Sequence, residues 1–572
     1  MSAAATAPGA LPDPVGSTAA PGRRSRTPGW ATVLLVVGLA VQLAPLLLLG
    51  HVLTQDGPAH VDSAWVLLHH GDPGVVGDAL RENYLVDLSP VPNLLTTGML
   101  AALLPLLGPD WAEKAVVAGF VLALAGGLRY ALRGVDRRAG WLAVAALPFA
   151  GSHLVAYGFY NFVWGVALSL VAMGVALRAR EGWTAARTVV LALLLLLTWS
   201  AHLMPEVAAV GVVGALAVGR LLASRGAAGW GPALRRHVAG PALAVAPTLL
   251  LTGWYVLTGG GEHGEVVGGP SLVRVGWLLS MYRPLVVGSW WELPSALLVA
   301  GTLLALLVVA VRRGGAPADG GATDAALARS DRTVLGLATV LAALAVLVVP
   351  SRLGQEYGFL PDRLAWFPPL VLLLFCATRL PSRTTTHRLV AGLLVLAATA
   401  AALVRLPTQL QDERAADELL SVAADIPAGS TFLVLRFDGH EAALAPLQRE
   451  PDPLRHVSSR LAIEAGAVDV GHYEAAFPYF QVRFTDSPGI RAAIDPEREG
   501  IERVPPTVDL PAAGRDLDHV VVVGLDRAAD WVRSDDRTSR VLEDLRAGYE
   551  EVAVSGPSGY ASVWRLRDTA VG

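Results

Sequence analysis

Between positions 54 and 62 the chain reads Thr54-Gln55-Asp56-Gly57-Pro58-Ala59-His60-Val61-Asp62, two carboxylates and an imidazole in one short run. A carboxylate beside a hydroxyl can take its proton as a general base, and a nearby histidine can orient the base or the hydroxyl. Pro58 suits a first helical turn, and Ala59 to His70, ending at Gly71, reads as a short helix with Asp56 at or near its N-cap. Asp56 and His60 are then four residues apart and project to one side. Asp56 has two readings, a helix cap and a catalytic base, which are compatible. Asp56, His60 and Asp62 also offer ligands to a divalent cation, without a spacing specific to a metal site.

Other polar residues lie near apolar runs: Lys114, His153, Tyr157, His202, Glu206, Glu262, His263, Arg352, Glu356 and Arg363. His202 and Glu206 are one turn apart around Pro205 in the apolar block 188–223, where an ionisable group marks a functional position unless it only meets water at a helix boundary. Arg352 and Glu356 also read as an i,i+4 pair, and Arg363 as a headgroup anchor. An arginine beside a lipid-facing groove can grip a phosphate or diphosphate bidentately. Lys114, the one lysine among 45 basic residues, reads either as a surface partner of Glu113 or as a phosphate contact.

Composition decides what positions these groups. Of the 572 residues, 53% are hydrophobic and 16% charged, and mean hydropathy is +0.49, which excludes an ordinary soluble chain. A single cysteine, Cys376, excludes an intrachain disulfide, a cysteine zinc site and an iron–sulfur cluster. Residues 1–29 are rich in Ala, Pro, Gly and Ser and read as a disordered cytoplasmic tail. Eleven spans are expected, at 31–53, 113–132, 140–152, 159–177, 188–204, 205–223, 238–257, 293–311, 333–350, 364–378 and 388–405. The stretches 91–107 and 275–289 also compete. Leaving both at the surface puts twenty basic residues in cytoplasmic loops and seven outside, as the positive-inside rule requires. Both read as interfacial or re-entrant helices. Residues 412–572 hold 17 Arg against 29 Asp and Glu, a soluble acidic part with strands expected at 431–436, 519–525 and 561–566 and helices at 411–425 and 529–549. The fold class is an α-helical polytopic membrane protein with a C-terminal extracytoplasmic α/β domain. The tail 1–29 precedes a transmembrane part, 30–405, with an outer loop at 54–112, and the α/β part is 406–572. No P-loop, dinucleotide fingerprint or basic stripe for nucleic acid is present.

A first span, a long acidic outer loop opening on an aspartate, many further spans and an extracytoplasmic C-terminal domain together resemble the C-type (GT-C) membrane glycosyltransferases. The resemblance covers roughly 30–405. It rests on Gln55-Asp56-Gly57-Pro58-Ala59-His60, then Pro92-Asn93 and Glu113-Lys114, shared with uncharacterised bacterial GT-C-like proteins. It implies a plasma-membrane enzyme that moves a hexose or pentose with inversion from a polyprenyl phosphate to an extracytoplasmic glycan, lipid or protein, with Asp56 as the base. His60 and Asp62 would orient the acceptor or the base, and Arg352, Arg363 or Lys114 would meet the leaving phosphate. The paired acidic residues of several relatives are absent here, since Gly57 follows Asp56, which leaves metal use open. A transporter or lipid flippase would want ionisable groups near the midplane and two related halves, and no such halves are visible. An inactive GT-C-like scaffold is the third reading.

Overall fold

The computed structural model describes residues 29–572 apart from 259–264, 314–321, 355–357, 382, 439–450, 488–489, 491–492, 495–502 and 569–572. The expected tail, Glu262, His263 and Glu356 therefore lie outside the described residues, Gly29 excepted. Among the described residues, nine helices are long and apolar enough to cross a membrane, from Gly29–Leu48 to the last at Thr384–Asp425. A shorter apolar helix, Ala185–Ala201, occupies the expected 188–204 run.

Two segments depart from regular helix for identifiable reasons. Leu95–Val135 is a single element of 41 residues only by continuity, because Gly108 (φ 72°, ψ 171°) breaks it into a segment before the kink and a longer apolar one after it. Pro109 follows directly and disfavours a helical residue before it. The stretch 91–107 is thus set apart from the helical run that follows it. The stretch expected as a span at 140–152 begins as a ten-residue 3-10 helix, Arg137–Ala146, followed by the α-helical turn Leu147–Ala150. A 3-10 helix rises ~2.0 Å per residue, so this stretch is longer than an α-helix of the same residues. The region 275–289 forms two short helices, Val273–Ser280 and Tyr282–Leu285.

The C-terminal region is built on a five-stranded sheet in the order Val468–Asp469, Thr431–Arg436, His519–Val523, Ala561–Leu566, Tyr549–Val554. The first three strands run parallel and the last two pair antiparallel. All five residues of His519–Val523 are buried, as a central strand requires. The expected helix at 529–549 is two pieces, Asp530–Arg533 and Asp536–Gly548.

The outer loop does not stand apart from this region. Helix Gly57–His69 is followed by helix Val75–Asn83 and strand Tyr84–Val86, and that strand pairs antiparallel with Val482–Phe484. Val66, Leu80 and Tyr84 share a core with Leu433, Val468, Val520 and Leu545. Below, helix Thr384–Leu420 runs unbroken through Arg405 into the C-terminal region. Arg405 reaches Glu292 at 2.7 Å and the Leu285 carbonyl at 2.8 Å, which fixes this rod against the membrane helices. The acidic loop is therefore held from both sides.

Candidate active site

Asp56 stands where the sequence puts an N-cap, but its carboxylate makes no cap hydrogen bond. It turns away from the helix it precedes. Gln55 Nε2 donates to Asp56 Oδ1 at 3.1 Å, the Tyr473 hydroxyl also hydrogen-bonds the carboxylate, and His456 Nε2 lies 3.5 Å from it. The backbone is pinned beneath: Gln55 N and Asp56 N donate to the carbonyls of Ala156 and Tyr157, each at 3.0 Å. Gly158 allows this approach, because its φ is +82° and a Cβ there would meet the backbone of Asp56 and Gly57. Gly57 is required by close packing as well, since a side chain would collide with Glu113, Thr54 and the Tyr160 hydroxyl. Those three groups form a buried chain, Thr54 to Tyr160 and Tyr160 to Glu113, each at 2.7 Å.

One turn along, His60 is buried. Its Nε2 donates to the Gly158 carbonyl at 2.9 Å, so that nitrogen carries a proton, and its Nδ1 forms an ion pair with Glu474. Burial lowers the His60 pKa, but the charge and hydrogen bond of Glu474, then Asp56 and Gly158, outweigh it and raise the value to about 9. Burial raises Asp56 to about 6, against the opposing effects of His60 and Gln55. Near neutral pH the pair is an ionised carboxylate beside an imidazolium.

Asp56 and His60 open onto a cavity of about 480 Å³, within the range of small-molecule sites. Its membrane-side wall carries Asn93, Phe159, Phe162, His202, Tyr255 and Arg363. Asn93 is held by Asn161, whose Nδ2 donates to its carbonyl at 3.0 Å. His202 caps helix Leu203–Ala228, its Nδ1 accepting from Met204 N at 3.1 Å, and stands edge-on to Phe162. The Arg363 guanidinium lies 4.6 Å from the centre of the Phe159 ring, and its Nε is buried with no hydrogen-bond partner among the described residues. A cation with an unused Nε donor lines the same space as an ionised carboxylate.

Of the residues expected from sequence, Asp56, His60, Tyr157, His202 and Arg363 meet at this cavity, and five others do not. Asp62 turns to the opposite side of its helix, 3.6 Å from His472 Nε2 and sealed at 1% exposure, so the trio Asp56, His60, Asp62 is not gathered around one point. Among the described residues no group of three His, Cys, Asp or Glu is arranged to hold a metal ion. Lys114 donates to the Leu49 carbonyl at 2.7 Å and lies over Trp111. Buried rather than at the surface, it ties the first span to its neighbour and lines no part of the cavity. His153 is fully buried 3.5 Å from Asp362, which pairs with Arg283. Glu206 reaches the Thr248 side chain between two membrane helices. Arg352 is exposed on a two-residue strand paired with Val266–Val267.

The opposite wall, Arg455, His456, Tyr473, Phe477, Tyr479 and Phe480, comes from the C-terminal region. Sequence reading missed all of it. A signal exists, since Tyr473, Phe477, Tyr479 and Phe480 crowd four aromatics into eight residues of a chain that is 7% aromatic. The His456 and Tyr473 rings stack at 4.3 Å, a pairing that links two segments far apart from Asp56 in sequence.

No protein-family model matches the chain, and no curated protein matches it. Among solved structures it is similar to ArnT from Cupriavidus metallidurans bound to undecaprenyl phosphate, at 11% identity and a TM-score of 0.49, covering 95% of this chain and 99% of that one. It is also similar to an Archaeoglobus fulgidus oligosaccharyltransferase tethered to an acceptor peptide, at 12% identity and a TM-score of 0.37, covering 94% of this chain and 74% of that one.

Proposed function

We propose that the protein is a membrane glycosyltransferase that moves a sugar from a polyprenyl-phosphate donor to a hydroxyl-bearing acceptor on the extracytoplasmic face. The observation that carries this reading is the meeting of an ionised Asp56 and the unsaturated guanidinium of Arg363 across one cavity between the membrane helices and the C-terminal region. In the proposed reaction the acceptor hydroxyl oxygen attacks the anomeric carbon from the face opposite the phosphate, Asp56 takes its proton, and the bond to the phosphate oxygen breaks with inversion. Negative charge on the departing phosphate grows along this path, so a cation fixed at Arg363 acts more strongly in the transition state than in the ground state. His60 keeps Asp56 ionised by standing beside it as a cation. The domain division at 405/406 and the outward orientation of the C-terminal region belong to the same proposal. The ArnT structure, which holds undecaprenyl phosphate, supplies the probe for its test.

Full-length protein in lipid nanodiscs is incubated with undecaprenyl phosphate, and bound lipid is measured for wild type, Arg363→Ala and Arg352→Ala. The reading expects binding that Arg363→Ala removes and Arg352→Ala leaves intact. Equal binding by all three proteins, or none by wild type, overturns it.

A further inference from the structure

Glu474 lines no part of the cavity surface and would pass for a structural residue, yet its position controls the state of His60. It is completely buried on the 3-10 turn Glu474–Ala476 of the C-terminal region. One carboxylate oxygen pairs with His60 Nδ1, and the other accepts a hydrogen bond from Ser63 Oγ at 2.5 Å. His60 and Ser63 are both on helix Gly57–His69, so a residue more than four hundred positions away grips two successive sites on the helix that follows Asp56. Directly before it in sequence, Tyr473 hydrogen-bonds the Asp56 carboxylate itself. Two adjacent residues of the C-terminal region thus hold the two ends of the Asp56–His60 pair.

We infer that Glu474 is a positioning residue for catalysis: by pairing with His60 Nδ1 it keeps that imidazole protonated, and the C-terminal region thereby sets the charge beside Asp56. The inference rests on the proposed role of Asp56 as base. The groups facing His60 from the elements packed around it are Asp56 on its own loop, Glu113 and Tyr160 on the membrane helices, and Glu474 and His456 on the C-terminal region. Glu474 is faced by His60, Ser63, His472, Asp62, Asp56 and Tyr473. Asp56 is faced by Gln55, His60, Glu474, Tyr160, Arg455, His456, Tyr473 and Arg363. Among the carboxylates near His60, Glu474 has both the largest favourable charge effect and a hydrogen bond to the ring.

The direction of its effect follows. With Glu474 neutralised, burial and the remaining cations leave His60 uncharged over more of the neutral range. Asp56 loses a cationic neighbour where His60 is neutral, but it also loses the negative charge of Glu474, which acts on it in the opposite direction. The pH window in which Asp56 is ionised and His60 protonated therefore narrows from its alkaline side. A residue that merely packed would lower activity by one factor at every pH.

The test uses full-length protein in nanodiscs with histidine labelled at Cε1 and the His60 resonance assigned from a His60→Gln variant. Glu474→Gln is expected to lower the His60 midpoint by about 1 to 3 pH units, the usual effect of losing an adjacent opposite charge. Glu474→Asp, which keeps the charge, is expected to recover part of the shift and serves as the reporter should the Gln variant fail to fold. Ser63→Ala, which removes the second bond on Glu474, gives a smaller shift in the same direction. The pH profile of sugar transfer is measured alongside and is expected to narrow at its alkaline limb in Glu474→Gln. An unmoved His60 midpoint in a folded Glu474→Gln, or in Glu474→Asp and Ser63→Ala alike if the Gln variant does not fold, overturns the inference. A moved midpoint with an unchanged pH profile supports Glu474 as the keeper of the His60 proton and instead overturns Asp56 as the base.

Discussion

Two buried acid–arginine arrangements sit at opposite ends of the membrane helices, and they differ in how much capacity each has left. At the end away from Asp56, Arg220 grips Asp331 through Nε at 2.7 Å and Nη2 at 3.0 Å, gives Nη1 to the Ala176 carbonyl at 2.7 Å, and Arg180 adds another bond to Asp331 at 2.8 Å. Asp331 and Arg220 are 1% and 2% exposed. That cluster is saturated and can only hold helices together. At the other end Arg363 rests on an aromatic ring with an unused Nε, and Asp56 keeps acceptor capacity toward a cavity. Arg220 and the cavity-lining Leu203 share one helix and lie roughly 26 Å apart along its axis at 1.5 Å per residue, so one element serves a strut at one end and the margin of a site at the other. Ionisable groups buried in a membrane protein are informative by their unsatisfied valence more than by their depth.

The largest expected effect that bears on this contrast is at Asp56. Asp56→Asn preserves size and folding and is expected to reduce transfer by about 10²–10⁴-fold, the usual worth of a general base. Activity within tenfold of wild type, measured on protein of equal melting temperature, would remove the base. Arg363→Ala comes next, with a loss of about 10²–10³-fold in turnover, typical of a group that stabilises developing charge, and little change in melting temperature. Asp331→Asn inverts that pattern. It leaves a buried cation without its partner and is expected to cost about 3–5 kcal/mol of stability, read by chemical or thermal unfolding, while the protein that remains folded transfers sugar at the wild-type rate. A stable Asp331→Asn with impaired transfer would erase the distinction between strut and site.

A smaller effect is expected from pH on the wild-type fold. His60, raised from 6.5 to about 9, contributes stability that is full below its unfolded value and is lost as pH rises through about 9. Glu474, lowered from 4.5, contributes stability present above that value and lost as pH falls through its depressed folded value; it is the same interaction seen from the other partner. Asp56, raised from 3.8 to about 6 by burial, favours the folded state when protonated and so loses ground as pH rises through about 6. The melting temperature should therefore decline between pH 6 and pH 9.5, with protease sensitivity increasing in the C-terminal region, and a curve rising over that interval would contradict the His60–Glu474 assignment. The smallest effect belongs to Arg352→Ala. Exposed on its strand, this side chain should change stability by no more than about 0.5 kcal/mol and leave transfer within twofold.

Much of this organisation is legible in the sequence because it depends on local patterns. Apolar length marks the membrane helices, Pro58 and the polar run before it mark the short outer helix, and the Val520–Val523 run marks a buried strand. The 3-10 geometry within 140–152 is not legible, because a 3-10 helix has no apolar signature distinct from that of an α-helix. Asp56 and Asp62 show where local pattern stops. Six residues apart on one helix start, they look equivalent in sequence, and only packing sends one to the cavity and the other against His472.

What the amino-acid sequence determined by itself is the membrane location, the acidic 54–90 stretch and the candidacy of Asp56, His60, His202 and Arg363, since hydropathy and residue chemistry are properties of short windows. What the tertiary structure decided is which candidates share a space and what state they are in. Strand Tyr84–Val86 pairing with Val482–Phe484 and the grip of Glu474 on helix Gly57–His69 bring the 455–480 wall over Asp56. Contacts between residues hundreds of positions apart leave no periodic trace in either segment, and the protonation of His60 depends on one such contact.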